Sequence, residues 1–248
     1  MNKYNTLVLH RVVHKQTENF IDINLPTFRH ILRGSMALGK LVSIDEAIKF
    51  SEDSKRSICL TFDDGFSSDY QLVLPELKKL QATATFFIVT NWLETPGYLT
   101  KQQVRDLSDA GMQIGSHSKS HPNFLKITPE ERLDELRGSK LILENIIGKE
   151  ISTFSFPYGF YDKSCSKAVF DANYSICCTS KHGLSDCRNS IVPRNSINAH
   201  TSFNRINMIL RASLMQRVLW YCEDVIKENL KQSFPRFYRT LRNLISTY

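Results

Sequence analysis

Residues 57–65 read Ser-Ile-Cys-Leu-Thr-Phe-Asp-Asp-Gly, an apolar run that closes on two adjacent carboxylates and a glycine. A short apolar run bounded by turn residues is typical of a buried strand. The Asp-Asp-Gly that follows it is commonly a plain turn. Two carboxylates at the end of a strand can also carry out chemistry, however, and other polar motifs follow other apolar runs of this chain in the same way.

Apolar segments alternate with helical segments along the chain. Strands are predicted at residues 7–9, 57–62, 83–90, 112–116, 151–156, 174–179 and 190–193. Helices are predicted at 71–80, 100–111 and 128–148, and the last two begin with capping boxes at Thr100 and Thr128. This order of elements predicts parallel β-α units in an α/β fold.

Four polar segments come directly after predicted strands: His10, Asp63-Asp64, His117 and Pro157-Tyr158-Gly159. In α/β barrels, active sites are built from loops at the C-terminal ends of the strands. We therefore expect the four segments to lie on one rim of the fold and to form one site.

The residue types in these segments suit metal-assisted hydrolysis. Successive residues leaving a strand point in opposite directions, so one carboxylate of the Asp63-Asp64 pair can bind a metal ion while the other faces a water molecule. His117 and His121 are four residues apart, a spacing that places two imidazoles on one side of a helical turn. Two histidines and one aspartate suit Zn²⁺, with Co²⁺, Mn²⁺, Fe²⁺ or Ni²⁺ as alternatives. Backbone N–H groups in the 157–159 turn can stabilise an oxyanion.

Composition narrows the class of protein. A chain of 248 residues with 42% hydrophobic residues can bury a substantial core. No apolar run is long enough to span a bilayer, and residues 1–11 lack the features of a signal peptide, so we expect a cytoplasmic protein. The six cysteines show no paired spacing and are expected to be free thiols. The net charge of +7 would suit nucleic acid, but no nucleic-acid motif is present, and we expect no such partner.

Three motifs carry a resemblance to a known family. In chain order they are Thr61-Phe62-Asp63-Asp64-Gly65, Ser116-His117-Ser118-Lys119-Ser120-His121 and Phe156-Pro157-Tyr158-Gly159. They resemble the first three motifs of the NodB-homology polysaccharide deacetylases, and the opening Leu9-His10-Arg11-Val12 resembles the start of the bacterial exopolysaccharide branch. The resemblance covers residues 5–200. It implies a distorted (β/α) barrel with fewer than eight complete units at residues 1–200, followed by a C-terminal helical extension at 201–248.

The resemblance also implies a role for each site residue. Asp63 would be the general base, and Asp64, His117 and His121 would bind one divalent metal ion. Tyr158 would donate its backbone N–H to the oxyanion, and Pro157 and Gly159 would contact the substrate. The implied reaction is hydrolysis of the N-acetyl group of an amino sugar, with release of acetate.

The chain departs from the family pattern at two roles. The Arg that commonly stands two residues before the Pro, where it orients the base, is Ser155 in this chain, and Arg194 is a candidate to orient the base or to contact the substrate. The late Leu-x-His motif is not recognisable, so the general acid is open. We rank His10 first, for acid catalysis or substrate positioning, ahead of His182 and His200. The alternative is that all three histidines are structural.

Residues 201–248 predict amphipathic helices. Between residues 229 and 248, apolar residues recur at helical spacing, with four basic residues and no acidic ones among them. A helix packed on the barrel with a solvated basic face is one interpretation. Peripheral contact of residues 229–248 with an anionic membrane is the other.

Together these features predict a cytoplasmic, metal-dependent sugar N-deacetylase in bacterial surface-polysaccharide or lipopolysaccharide biosynthesis. Its substrate would be an N-acetylated amino sugar, linked to a lipid or a nucleotide, and the protein would lie peripherally on the inner face of the membrane. Two alternatives stay open. One is removal of another small acyl group, such as formyl, from a lipid-linked amino sugar. The other is an inactive glycan-binding scaffold.

Overall fold

A computed structural model describes residues 3–49 and 56–233 of the chain. The strands are β1 (Lys3–Leu9), β2 (Val12–Val13), β3 (Ile23–Asn24), β4 (Lys40–Val42), β5 (Ser57–Phe62), β6 (Thr85–Ile88), β7 (Gln113–Ser116), β8 (Thr153–Ser155), β9 (Ile176–Cys178), β10 (Ser185–Asp186), β11 (Ile191–Val192) and β12 (Asn195–Ser196). The helices are α1 (Leu25–Leu38), α2 (Ile44–Lys49), α3 (Leu74–Lys79), α4 (Lys101–Asp109), α5 (Pro129–Ile147), α6 (Lys163–Asp171), α7 (Phe203–Arg211) and α8 (Leu214–Ser233).

Ten strands form one mixed sheet that nearly closes into a barrel. Its order is β10-β1-β5-β6-β7-β8-β9-β11, with β4 beside β5 and β12 beside β1. Neighbours from β1 to β11 run parallel, whereas β10 runs antiparallel to β1. Since β11 pairs with β9 and β12 pairs with β1, the segment 191–196 spans the seam between the two sides of the sheet. The predicted distorted (β/α) barrel is confirmed.

Local sequence signals account for most of the elements. The strand predicted at 57–62 is β5, and both predicted capping boxes are present, at Thr100 and Thr128. Gly148 ends α5 in the left-handed conformation. The predicted helix at 71–80 instead opens with a π-helical turn, Asp69–Val73, before α3. The sequence analysis missed α1, although Asn24 caps it by accepting a hydrogen bond from the Thr27 N–H.

Aromatic packing fixes the strands that carry the polar motifs. The ring of Phe62 stacks on Phe86 at 5.1 Å and meets the edge of Phe28 at 5.9 Å. At the end of β8, the rings of Phe154 and Phe156 pack edge to face, with their centroids 5.2 Å apart. Such pairs add about 0.5–1.5 kcal/mol beyond the burial of the rings themselves. The ends of β5 and β8 are therefore held by well-packed, fully buried side chains.

Two helices follow the barrel, as the sequence predicted. The Asn5 side chain donates hydrogen bonds to the carbonyls of Ile209 and Leu210, which ties the end of α7 to the start of β1. The predicted helical residues from 234 onward lie outside the described residues, and the domain boundary at residue 200 stays a prediction. No helix between residues 3–49 or 56–233 is long and apolar enough to cross a membrane. All six cysteines, each within those ranges, are free thiols.

Gly115 on β7 is needed because two neighbours occupy the space of a side chain. A Cβ at this position would lie 2.6 Å from the Phe87 ring and 2.7 Å from Thr153 Oγ1. We expect Gly115→Ala to lower the free energy of unfolding by about 1–3 kcal/mol, because the core must shift to accept the methyl group. Urea unfolding measures this change.

Gly138→Ala in α5 is the matched control. Its Cβ would come within 3.2 Å only of the flexible Lys119 side chain, and alanine is favoured over glycine in a helix by up to about 1 kcal/mol. We expect this variant to be as stable as the wild type or more stable. A Gly115→Ala protein with wild-type stability would show that β7 does not pack as described.

Candidate active site

The ends of four parallel strands bring the predicted motifs together. Leu9 pairs with Phe62 and Ser116 pairs with both Ile88 and Phe154, so these strands end at one level of the barrel. The residues that follow them are His10, Asp63-Asp64, His117 and the Pro157–Gly159 turn. The structure thus places all four segments on one rim.

Asp64, His117 and His121 form a compact cluster of potential metal ligands. Asp64 Oδ1 lies 3.5 Å from His117 Nε2 and 3.6 Å from His121 Nε2. One ligand atom from each residue lies within 4.8 Å of those of the other two. Asp63 stands beside this cluster rather than in it, because its Oδ2 is 3.8 Å from His117 Nε2.

A backbone hydrogen bond sets the tautomer of His117. Its Nδ1 lies 2.8 Å from the Ser155 carbonyl oxygen, which can only accept a hydrogen bond. Nδ1 therefore carries the proton, and Nε2 presents its lone pair toward Asp64. Metal-binding histidines are typically oriented by such a bond from the second ring nitrogen.

The two histidines lie on a loop and not on the helical turn that their spacing suggested. Glu135 on α5 holds this loop, since its carboxylate accepts hydrogen bonds from the backbone N–H groups of Lys119 and Ser120 at 2.7 and 2.8 Å. The His121 N–H donates to Ser118 Oγ at 2.9 Å. The two imidazoles are close because this carboxylate folds the loop, and not because of helical periodicity.

The protonation of the cluster fits a divalent cation. Burial, with a smaller contribution from the charge of Asp63, raises the pKa of Asp64 to about 8. Burial also lowers the pKa of His117, and it lowers the pKa of His121 to about 2 with help from the neighbouring His117. Both imidazoles are therefore neutral, and a cation bound among these three residues would stabilise the charged form of Asp64. A His₂Asp donor set of this kind is suited to the metal ion that the motifs imply.

Arg194 binds the Asp63 carboxylate through two hydrogen bonds. Its Nη1 and Nη2 donate to the two carboxylate oxygens of Asp63 at 2.6 and 2.8 Å. The same guanidinium donates to Ser155 Oγ at 2.7 Å, to Thr61 Oγ1 at 3.1 Å and to the Thr179 carbonyl at 3.3 Å. Only 3% of the Arg194 side chain is exposed, so it contacts the carboxylate rather than solvent. Of the two roles predicted for Arg194, this position favours orientation of the base.

The charge of Arg194 decides the state of Asp63. Burial on its own would raise the pKa of the Asp63 carboxyl. The Arg194 cation outweighs that effect, and with His117 and the Arg194 hydrogen bonds it holds this pKa below the ordinary value. The neighbouring carboxylates therefore differ, because Asp63 stays ionised without a metal ion and Asp64 does not.

The third motif forms a tight turn beside the cluster. Tyr158 and Gly159 both have positive φ, at 57° and 63°. A Cβ on Gly159 would fall 1.9 Å from Ser180 Oγ, so only glycine fits against the loop after β9. Pro157 is buried beneath the turn, and the Tyr158 ring lies 4.4 Å from the ring of His121.

The three candidate acids lie in different surroundings. Burial lowers the pKa of His10 to about 4, although the nearby Asp63 opposes this effect, so His10 is neutral at neutral pH. The ring of His182 is engaged elsewhere, because its Nδ1 lies 2.8 Å from Asp224 Oδ1 on α8. His200 is exposed beside Phe20. Of the three, only His10 adjoins Asp63.

The structure adds residues that the sequence analysis missed. Asp69 is fully buried, and neither of its carboxyl oxygens has a hydrogen-bond partner within the described part of the chain. Burial, followed by the charges of Asp64 and Asp63, raises its pKa well above the ordinary value, so it adds no third negative charge. Trp92 lies 5.0 Å from the ring of His121 and 5.0 Å from that of Tyr98. Asp69, Trp92 and Tyr98 follow no spacing pattern that would identify them as site residues from the sequence.

Comparison with known proteins agrees with this geometry. A family model described as polysaccharide deacetylase matches residues 51–177. The chain is 29% identical to the YxkH protein of Bacillus subtilis (strain 168) over 130 residues, which are 52% of this chain and 47% of that protein. It is 31% identical over 121 residues to the peptidoglycan-N-acetylmuramic acid deacetylase PdaA of the same organism, covering 48% of this chain and 44% of PdaA. The chain thus spans about half the length of these curated relatives.

A solved structure extends the similarity to most of the fold. The Streptococcus pyogenes deacetylase PplD, determined in complex with acetate, superposes with a TM-score of 0.76 at 22% identity. The superposition covers 84% of this chain and 98% of that one. At 22% identity, this similarity shows a shared fold.

The cluster predicts tight binding of one divalent metal ion. We expect Asp64→Asn to weaken Zn²⁺ binding by more than about 100-fold, the upper range for loss of a residue that only orients a ligand, because the amide removes the single negative charge of the donor set. Isothermal titration of the metal-stripped protein with Zn²⁺ measures this change.

Asp171→Asn is the control, because Asp171 is an exposed carboxylate on α6 that pairs only with Lys167 among the described ion pairs. This variant should bind Zn²⁺ like the wild type. Equal affinity of Asp64→Asn and the wild type would show that the ion binds elsewhere.

Proposed function

This chain belongs to the polysaccharide deacetylase family, and on that premise we propose that it is a metal-dependent hydrolase that removes the N-acetyl group from an amino sugar. One observation carries the proposal. A carboxylate that Arg194 keeps ionised, Asp63, stands 3.8 Å from a histidine of a compact His₂Asp donor set. This arrangement supplies a base and a Lewis-acid site side by side, which amide hydrolysis requires.

In the proposed mechanism Asp64, His117 and His121 would hold the metal ion. The ion would supply Lewis acidity, which polarises the amide carbonyl and lowers the pKa of a water molecule. Asp63 accepts the proton of the attacking water through a carboxylate lone pair that Arg194 does not use. Because Arg194 binds both oxygens, the carboxylate plane is fixed before the substrate arrives, and little reorganisation is needed.

The turn at Pro157–Gly159 and His10 serve the remaining steps of the proposed reaction. The Tyr158 N–H donates to the oxygen that becomes negatively charged, and Pro157 and Gly159 shape the surface around it. The leaving amine then needs a proton. His10 is neutral at neutral pH, so it acts as an acid only after it takes up a proton, and Asp63 is the neighbouring group that has just gained one. If His10 does not donate this proton, its proposed role is to position the sugar.

Aromatic side chains at the mouth of the site suit a sugar. Trp92 and Tyr158 flank the ring of His121, Tyr98 contacts Trp92, and Phe66 stacks on Tyr98 at 5.1 Å. Their flat apolar faces are complementary to the C–H faces of a pyranose ring, while their polar edges bind its hydroxyl groups. We propose that these rings hold the N-acetylated sugar with its acyl group toward Asp63.

The biological setting is proposed from the motifs. The Leu9-His10-Arg11-Val12 start supports the exopolysaccharide branch and a role in bacterial surface-polysaccharide or lipopolysaccharide biosynthesis. The substrate would be a lipid- or nucleotide-linked amino sugar, and the enzyme would work in the cytoplasm, peripherally on the inner face of the membrane. Zn²⁺ is the proposed metal ion, since it suits two imidazoles and one carboxylate.

Acetate release tests the proposed reaction. We expect the Zn²⁺-loaded protein to release acetate and a free amine from N-acetylated amino-sugar donors, and Asp63→Asn to lose at least about 100-fold of that rate because the base is gone. Asp171→Asn is the control and should keep full activity. Formate release from N-formyl donors alone would assign a deformylase. Sugar binding without release of any acyl group would assign a glycan-binding scaffold.

The role of Arg194 predicts a change in pH dependence. In Arg194→Gln the pKa of Asp63 rises, because burial is no longer opposed by the guanidinium charge. The base is then protonated at higher pH, so the acid limb of the kcat/KM profile should move to higher pH, with kcat reduced by about 100-fold. The position of the limb does not depend on the fraction of folded protein.

A second variant separates orientation from folding. Ser155 Oγ lies 3.3 Å from Asp63 Oδ2, so the pair Ser155→Arg with Arg194→Ser returns a guanidinium to the same carboxylate from the end of β8. We expect this pair to recover part of the activity and to return the acid limb toward its original pH. An unchanged acid limb in Arg194→Gln would refute the role of Arg194.

A further inference from the structure

The last described helix, α8, turns its apolar side chains away from the barrel. Leu214 is 79% exposed and Tyr221 is 72% exposed. At 100° per residue, the exposed apolar positions between 214 and 226 fall within an arc of about 160°. These positions are Leu214, Met215, Val218, Leu219, Tyr221, Cys222, Val225 and Ile226, and they are called the outer face of α8 below.

The opposite side of α8 is attached to the protein mainly through polar groups. Trp220 is buried and stacks on the ring of His182, with the two planes 3° apart. Asp224 accepts hydrogen bonds from the backbone and the ring of His182, and Glu223 pairs with Arg205 on α7. A helix on a globular protein normally packs its apolar stripe on the core. In α8 the polar side packs on the protein, and the apolar side faces solvent.

The charge around α8 identifies the chemistry of a partner. Residues 201–248 contain eight Lys or Arg and three Asp or Glu, a net charge of +5 within a chain of +7. Two of the three acidic residues are Glu223 and Asp224, which are engaged with Arg205 and His182. Directly after α8, residues 234–248 contain three arginines and no acidic residue. A segment that combines an exposed apolar helix face with an excess of positive charge in its sequence is complementary to an anionic lipid surface.

We propose that the outer face of α8 lies in the headgroup region of an anionic membrane and docks the barrel there. The helix would lie in the plane of the membrane, because no described helix is suited to crossing one. A second copy of the chain fits less well. An arc of about 160° is much wider than a two-helix seam, and two segments of charge +5 would repel each other. The proposal rests on α8 and its charge, and not on the proposed reaction.

Vesicle flotation tests the proposal with the full-length protein. The probe is vesicles of phosphatidylglycerol and phosphatidylcholine at low salt, with pure phosphatidylcholine vesicles beside them. We expect Met215→Gln with Val218→Gln to weaken binding to the anionic vesicles at least about tenfold, because two side chains of the inserted face become polar. The matched control is Met36→Gln with Leu141→Gln, which changes two exposed apolar residues on α1 and α5 and should bind like the wild type.

Truncation separates α8 from the residues that follow it. A chain ending at Ser233 lacks three arginines and should bind more weakly, and the Met215 and Val218 substitutions should weaken that remaining binding further. Equal binding of the wild type and the Met215→Gln/Val218→Gln protein would overturn the proposal. Sedimentation experiments could also overturn it. If the wild type is a dimer and the same substitutions dissociate that dimer, the outer face of α8 binds a second copy of the chain. Acetate release is measured on soluble donors and does not depend on vesicle binding. Failure of the membrane proposal therefore does not contradict the proposed reaction.

Discussion

The buried pairing of Arg194 with Asp63 links three parts of the barrel at the candidate site. Removing two charges from water costs more than their attraction returns unless every hydrogen-bonding group is satisfied. In this protein the guanidinium also reaches Thr61, Ser155 and Thr179, which belong to three different parts of the barrel wall. The main effect of the Arg194–Asp63 pair is therefore to fix the position of the carboxylate, and its net contribution to the free energy of unfolding is small. The pair fixes a carboxylate plane at the one point where the ends of β5 and β8 and the loop after β9 meet.

Unfavourable backbone conformations concentrate around this point. Of the eight non-glycine residues with positive φ in the described ranges, four belong to the motifs: Asp64, Ser118, His121 and Tyr158. Each costs of order 1 kcal/mol or more for a residue with a side chain. The surrounding contacts hold them in place, most clearly the Glu135 carboxylate that binds two successive N–H groups of the histidine loop. The rim is thus positioned by hydrogen bonds from a helix behind it rather than by local preference.

The sequence predicted those parts of the structure that depend on short-range chemistry. Strand β5, the capping boxes at Thr100 and Thr128, and the motifs at strand ends all follow from residues within a few positions of each other. It could only suggest Arg194, because the partners are 131 residues apart and no periodic pattern connects them. Helical spacing gave the wrong reason for the closeness of His117 and His121. Amphipathicity likewise predicted a helix near residue 214 without indicating which side of it packs on the barrel.

The position of Arg194 on the seam has a consequence for how the protein is made. Chains emerge from the ribosome with the N-terminus first, and domains fold in that order. The strands that carry Asp63, His117 and Tyr158 can all be synthesised while the segment 191–196, which joins the two sides of the sheet, is still missing. Until that segment arrives, Asp63 lacks the Arg194 guanidinium that binds both of its carboxylate oxygens. An incompletely closed barrel would therefore leave the Asp63 carboxylate open to water and without the two hydrogen bonds that fix its plane, so this part of the site takes its final geometry only when the sheet is closed.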